Sequence, residues 1–338
     1  MEPIAALRRI AFLLERAREP TYRVKAFRTA SITLAGLKPG EMEKRAATKS
    51  LTELPGIGPK TSTVVMQALD GAVPDYLAAL EADFAPLVQG GEEIRAALRG
   101  DLHSHSDWSD GGSPIQEMAV SAMELGHEYQ ALTDHSPRLT VANGLTVERL
   151  KKQLAIVATL NKHLGDFRLL SGIECDINED GTLDQTDEML GRVEIVVASV
   201  HSKLRADSGS MTRRMLRAIE NPHTDILGHC TGRLVTGGRG TRPESQFDAA
   251  RVFAACAEHG VAVEINSRPE RLDPPRRLLR QAVEAGCLFS IDTDAHAPGQ
   301  LDWQPYGCAR AAECDVPVDR IVNTWPVDAL LAWTGRDR

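Results

Sequence analysis

The 338-residue chain has no apolar run approaching the roughly 18 residues that a membrane span needs, which excludes a helical membrane protein. Its first residues, MEPIAALRRIAFLLERAREP, lack the small-residue cleavage site of a secretory leader and carry arginines within and after the apolar stretch, so they read as an amphipathic helix. A cytoplasmic location is the expectation. The six cysteines (Cys175, Cys230, Cys256, Cys287, Cys308 and Cys314) show no C-x-x-C spacing. In a chain of this length without a leader they read as reduced core residues and not as disulfides. No repeat or low-complexity segment interrupts the chain, and its net charge of −8 argues against a nucleic-acid binder over its whole surface.

Histidine is missing from both ends: all ten lie between His103 and His296. Charge is segregated too. Residues 1–60 hold twelve Lys and Arg against six Asp and Glu, a net of +6, which leaves −14 for the remainder. A basic module beside an acidic one accounts for both facts, and we divide the chain into a helical domain over 1–95 and an α/β domain over 96–338.

In the first part, IAALRRIAFLLERA and YRVKAFRTASITLAGL place apolar residues at helical spacing, and the turn Pro55-Gly56-Ile57-Gly58 separates two further helical stretches. From Gly100 the rhythm becomes strand and helix in alternation. Strands are predicted at Asp101–Ser104, Tyr129–His135, Arg168–Asp176, Glu194–His201, Asp225–His229, Val261–Asn266 and Cys287–Asp292. Seven such units suggest a parallel barrel with function at the C-terminal strand ends, although a doubly wound sheet gives the same rhythm.

Those strand ends concentrate acids and imidazoles. His103 and His105 close the first strand, and residues two apart on a strand face the same side. Asp110 follows in a turn-forming SDWSDGG. His135, Glu174, His201 and His229 end the next four strands, and Asp294 with His296 ends the last. A lone histidine at a strand end is more often a satisfied polar group than a ligand. Nine such residues at corresponding ends of six segments exceed the four to six donors one cation takes, which points to two or three clustered divalent metals with Glu174 as a bridging carboxylate.

GDLHSHSDWSDG, LTDHS, GIECDI, SVHSK, GHCTGR, EINSRPERLD and IDTDAH together resemble, in order, the motifs of the PHP (polymerase and histidinol phosphatase) superfamily over about residues 98–325. The resemblance implies a distorted seven-unit β/α, TIM-like barrel. It further implies that His103, His105, Glu174 and Asp294 hold one metal, that Glu174, His201 and His229 hold a second, and that Asp110, His135 and His296 hold a third. Glu174, His135 and Asp294 are then the candidate catalytic residues. The closer likeness is to the PHP domain of bacterial family X DNA polymerases, whose opening helix-hairpin-helix domain is similar to YRVKAFRTASITL followed by ELPGIGPKTS. Cys230 stands where that family usually has proline, either a neutral replacement or an oxidisable neighbour of His229. The polymerase palm, with its carboxylates, has no counterpart between the two regions, so no polymerase activity is expected.

The function expected is a metal-dependent phosphoesterase using Mn, Zn or Fe, acting by attack of metal-activated water on phosphorus. DNA ends are the favoured substrate, through 3′→5′ exonuclease or 3′-end-processing activity; a small-molecule phosphomonoesterase of the histidinol-phosphate type is the alternative. Lys203, Arg233, Arg268 and Arg271 follow metal motifs and are candidate phosphate clamps. Gly56, Gly58, Lys60 and Thr61 are candidate contacts to a DNA backbone, because the glycines admit a phosphate and the following amides point at it. Arg23, Lys25 and Arg28 add either a second phosphate contact or a solvated face, and nothing in the sequence activates Lys25 as a lyase nucleophile.

Overall fold

The computed structural model describes residues 1–238 and 240–335, which fall into two compact units, Met1–Pro86 and Leu87–Arg338. The first unit is entirely helical. Its opening helix, Pro3–Arg16, starts where a proline is free of cost and where the Glu2 carboxylate accepts from the amides of Ile4 (2.9 Å) and Ala5 (2.6 Å). One face of that helix, with Leu7, Ile10, Ala11 and Leu14, is buried with Phe27, Leu34, Val64, Val65 and Leu77 from later helices.

Inside this apolar packing lies one ion pair. Arg28, on the helix Thr21–Ala35, donates to both oxygens of Glu15 at 2.9 and 2.7 Å, and both side chains are buried. Arg28 is therefore neither a phosphate contact nor a solvated residue. Arg23 is also engaged, with Glu19 and with the Tyr76 hydroxyl (2.7 Å), whereas Lys25 is exposed.

The second unit carries seven parallel strands in sequential order: β1 (Gly100–Asp101), β2 (Tyr129–Leu132), β3 (Arg168–Asp176), β4 (Ile195–Ser199), β5 (Ile226–Leu227), β6 (Ala262–Asn266) and β7 (Phe289–Asp292). A parallel bridge between Ser104 and Ala295 joins the segments after β1 and β7, so the sheet is a nearly closed barrel. All seven expected strands are present, and the barrel, not the doubly wound sheet, is the outcome. Only β3 has the full expected length; the other six are shorter, β1 and β5 being reduced to two residues each. Past Asp101 the chain stays between its neighbours, the Ser104 carbonyl accepting from the Thr133 amide at 2.8 Å while Ser104 bridges to Ala295, and past Leu227 the backbone bends into His229 at φ 20°.

Alternate strand residues enter two different cores. Tyr129, Ala131, Leu170, Ile195, Val197, Ile226 and Ala262 form one cluster, while Leu132, Leu169, Val196, Ala198, Leu227, Val263, Phe289 and Ile291 pack outward under the helices. The inward parity continues from Ala131 to His135, from Leu170 to Glu174, from Val197 to His201 and from Ala262 to Glu264. The barrel interior is thus apolar at one end and carries ligand-type residues at the other. Gly228 keeps this end tight, since a Cβ there would lie 2.3 Å from the Ser199 hydroxyl.

All six cysteines are free and buried. Burial, with the Asp273 carboxylate nearby, holds the Cys230 thiol well above its usual range, which disfavours the thiolate. For the helical unit, Glu15→Ala should cost about 3–5 kcal/mol in urea unfolding, because Arg28 would stay buried without its carboxylate; a loss below 1 kcal/mol would show the pair to be solvated.

Candidate metal centre

The loop that follows β1 is folded by a buried acid. Asp134 accepts from the Ser106 amide (2.8 Å), the Ser106 and Ser109 hydroxyls (2.6 and 2.5 Å) and the Gln153 amide (2.6 Å), which sets the turn that presents Asp110. Beneath it, Asp101 accepts from the His103 amide at 3.1 Å and Asp292 from the Leu102 amide at 2.8 Å. Burial pushes both of these carboxyls up, Asp101 to about 8 with repulsion from Asp292 and Asp292 to about 6 with repulsion from Glu264. They brace β1 against β7.

All nine candidate ligands converge on one end of the barrel. Glu174 sits at the centre: its Oε2 lies 3.4 Å from His103 Nε2, 3.6 Å from His105 Nε2 and 2.8 Å from His135 Nδ1. Its Oε1 lies 3.3 Å from His201 Nε2 and 3.0 Å from His229 Nε2. Asp294 Oδ1 stands 3.5 Å from His105 Nε2, and Asp110 Oδ1 lies 3.5 and 3.3 Å from the Nε2 atoms of His135 and His296.

Donors of this type can be held by cations. Ligands bound at about 2.1 Å to a shared ion lie about 3.0–3.4 Å apart, close to the spacing seen here. Buried His103 Nε2, His105 Nε2, His201 Nε2 and both Glu174 oxygens make no hydrogen bond with any described residue. Such orphaned donors are costly unless an ion takes them. Among the described residues, three groups come close enough for a common ion: His105, Asp110, His135 and His296; His103, His105 and Asp294; and His135, Glu174 and His201. Relative to the sets that the family resemblance implies, His105 is shared by two groups, and His135 joins the group of Glu174 and His201, with His229 reaching the same carboxylate separately.

Sequence reasoning missed the residues that aim these ligands. Glu264 receives His103 Nδ1 at 2.5 Å and the His229 amide at 2.5 Å, and Asp176 receives His201 Nδ1 at 2.8 Å. Outer carboxylates of this kind fix the ring orientation and raise ligand basicity. The signal was present: Asp176 follows Glu174 by two residues on one strand, and Glu264 has the inward parity of β6. Backbone strain also aims ligands, since Asp294 adopts φ 53° as a non-glycine residue.

A cavity of about 340 Å³ opens over the cluster, lined by seven of the nine ligands and by Arg242, Arg268 and Arg271. Arg271 Nε lies 3.1 Å from Asp294 Oδ2 and Arg268 donates to the Asp294 carbonyl at 2.8 Å. The other two expected clamps are placed elsewhere. Arg233 donates to the carbonyls of Arg271 (3.1 Å) and Leu272, so its fork is spent on holding the loop, and Lys203 is exposed outside the cavity lining. Arg242, unanticipated, lines the cavity and donates to the Gly232 carbonyl at 2.7 Å.

In the helical unit, Gly56 at φ 76° makes the tight turn, and a Cβ there would strike Thr29 at 2.4 Å. Gly58 is different: its backbone is extended and the space around it is open. The Thr61 hydroxyl accepts from the Gly58 amide (2.9 Å) and donates to the Gly58 carbonyl (3.1 Å), so that buried side chain holds the turn and does not face a ligand. Lys60 is exposed, its ammonium 4.4 Å from the Tyr76 ring centre.

A PHP domain model matches residues 101–268 and a helix-hairpin-helix domain model matches residues 1–72. With the barrel and the donor cluster, these matches identify a metal-dependent phosphoesterase domain of the PHP class, with a helix-hairpin-helix domain ahead of it in the chain. Among individual proteins, it is 40% identical over 240 residues to the DNA polymerase/3′-5′ exonuclease PolX of Bacillus subtilis, an alignment covering 71% of this chain but only 41% of the polymerase. It is 28% identical over 207 residues to a probable phosphatase of Thermoanaerobacter sp. strain X514, covering 58% of this chain and 78% of that protein. A histidinol phosphate phosphatase from Lactococcus lactis, solved with zinc, L-histidinol and phosphate, superposes with a TM-score of 0.47 at 18% identity, covering 63% of this chain and 92% of that one.

Two outcomes are expected of the centre. Glu174→Ala should lower the metal bound per chain by at least one equivalent, measured by elemental analysis, whereas exposed His259→Ala should not; equal effects would displace the site. Metal affinity should rise with pH. Burial pulls the His201 ring down, but the Glu174 and Asp176 carboxylates outweigh it and hold it at about 9, so at pH 7 the free ring carries a proton that a cation must displace. Titration calorimetry in buffers of different ionisation enthalpy should record proton release on loading.

Proposed function

We propose that this chain hydrolyses phosphate esters at DNA ends, as a 3′→5′ exonuclease or 3′-end-processing enzyme, with two or three divalent transition metals in the barrel and the hairpin as a backbone contact. The observation that carries the hydrolytic part is Glu174, one buried carboxylate shared among five imidazoles beneath a cavity edged by arginines. Bound cations there would supply Lewis acidity, water of lowered pKa and neutralisation of phosphoryl charge.

The protein's own groups supply position. His103, His105, Glu174 and Asp294 would hold one ion, Glu174, His201 and His229 a second, and Asp110, His135 and His296 a third. Asp294 and Glu174, each in contact with several imidazoles, are held ionised: burial opposes this, but His105 and Arg271 at Asp294, and His201 and His103 at Glu174, keep both carboxyls well below their usual range. Arg268 and Arg271 stand on the cavity wall where a phosphate would lie, as charged donors that fix its orientation.

Support for DNA comes from the hairpin and from the relative that is named an exonuclease. Pro59 has no amide, so Lys60 and Thr61 are the first amides of the helix Pro59–Leu69, beside the open space at Gly58. A phosphate approaching there meets aligned amides and the Lys60 ammonium, without any reading of sequence.

The test is Mn²⁺- or Zn²⁺-loaded protein assayed on 3′-ended single- and double-stranded DNA, histidinol phosphate and an aryl phosphate, before and after chelation. DNA ends should be degraded and chelation should abolish it; turnover of histidinol phosphate alone would replace this reading with the phosphomonoesterase. Gly58→Val tests the hairpin, because the extended backbone accepts valine while the branched side chain blocks the approach. DNA affinity should fall severalfold and its salt dependence should become shallower. Unchanged affinity would remove the hairpin from the interface.

A further inference from the structure

The metal ligands and arginines account for only part of the cavity lining. Leu139, Val141 and Ala142 line it as well. Val141 is 92% exposed on the short turn Thr140–Ala142, an aliphatic side chain left in water beside a strongly polar cleft. The segment is nevertheless held firmly. The Arg149 guanidinium donates to the carbonyls of Asn143, Gly144 and Trp108, the Leu145 amide donates to the His135 carbonyl at 2.7 Å, and Asp184 accepts from the Arg138 amide at 2.8 Å. Gly144 lies so close to Ser136 that a Cβ would meet its carbonyl at 1.9 Å. The aliphatic turn is therefore tied directly to the strand end that carries His135.

Topology sets this turn apart from the arginines. It follows β2, whereas Arg242 follows β5 and Arg268 and Arg271 follow β6. In a nearly closed seven-stranded barrel those positions are three or four strands apart either way round. The cavity mouth has an aliphatic side and a cationic side.

We infer that Leu139 and Val141 form a shelf for the base of a single terminal nucleotide whose phosphate lies on the ligand and arginine side. This rests on the phosphoesterase activity proposed above and names its substrate as a nucleotide and not a wholly polar phosphate. The complementarity is of charge and of surface together, because only a ligand with an anionic end and a flat apolar part satisfies the arginines and covers Val141. The volume of about 340 Å³ is near the lower end of the roughly 300–1,000 Å³ of small-molecule sites, room for one nucleotide and not for two. An aliphatic shelf offers no donor or acceptor to a base edge, so cleavage proceeds without regard to sequence.

The test uses the full chain loaded with Mn²⁺, with wild type, Val141→Ala and Val141→Phe compared. Two esters share one leaving group, thymidine 5′-(p-nitrophenyl phosphate) and methyl p-nitrophenyl phosphate, and calorimetry compares thymidine 5′-monophosphate with 2-deoxyribose 5-phosphate. Wild type should favour the base-bearing member of each pair. Both preferences should fall by about tenfold in Val141→Ala, the low end for losing an apolar contact in a specificity pocket, and should grow in Val141→Phe. A wild-type protein without such preferences, or preferences equal in all three proteins, would overturn the shelf. If neither ester is hydrolysed but phosphomonoesters are, the DNA-end function fails, and the calorimetric preference still decides the shelf.

Discussion

Glu174 is the group on which the second unit turns. A carboxylate at full burial is costly, and several uncompensated imidazoles around it are costlier still. The arrangement is tolerable only because each group answers another: one Glu174 oxygen faces His103, His105 and His135, and the other faces His201 and His229. The remaining ring nitrogens of His103 and His201 are occupied by Glu264 and Asp176. Positive ions would complete what the protein has balanced only in part. Stability and chemistry would then meet at this point, since the features that make the cluster expensive to fold without metal are those that suit it to hold metal.

The barrel makes such crowding possible. On β2, β3 and β4 the inward-facing positions are apolar near the start of the strand and ligand-type toward its end, so a single alternation builds the core and the site in succession. The polar end is then stiffened by backbone bends at His229 and Asp294 and by the buried carboxylates of Asp101 and Asp292, which accept from Thr293 and from the Leu102 amide across β1 and β7. Strained backbone of this kind persists where the surroundings over-determine it.

In the helical unit, much of the positive charge is spent internally. Arg9 pairs with Glu81, Arg23 with Glu19, Arg28 with Glu15 and Arg45 with Glu41. Glu15, Glu19 and Glu41 are already counted in the net +6 of the first sixty residues, and Glu81, outside them, offsets one further charge. What remains near the hairpin is more local: the Lys60 ammonium, two helix amides and the open space at Gly58. That arrangement suits a single backbone contact rather than an extended positive surface.

The strand rhythm was legible in the sequence, and so was the set of nine candidate donors that the barrel gathers at one end, because period-two alternation and strand-end placement are local properties. Local pattern carries no distances across a barrel. It could not distinguish Arg268 and Arg271, which line the cavity, from Arg233, whose guanidinium is bound to the carbonyls of Arg271 and Leu272. Nor could it show that Arg28 is buried against Glu15, that the Thr61 hydroxyl is consumed by its own turn, or that Glu264 aims His103 from a strand 161 residues away. A charged side chain has the same sequence signature whether it meets solvent, a carbonyl or a ligand. Its partner is chosen only when closure of the barrel and packing of the helices bring distant segments within hydrogen-bond reach.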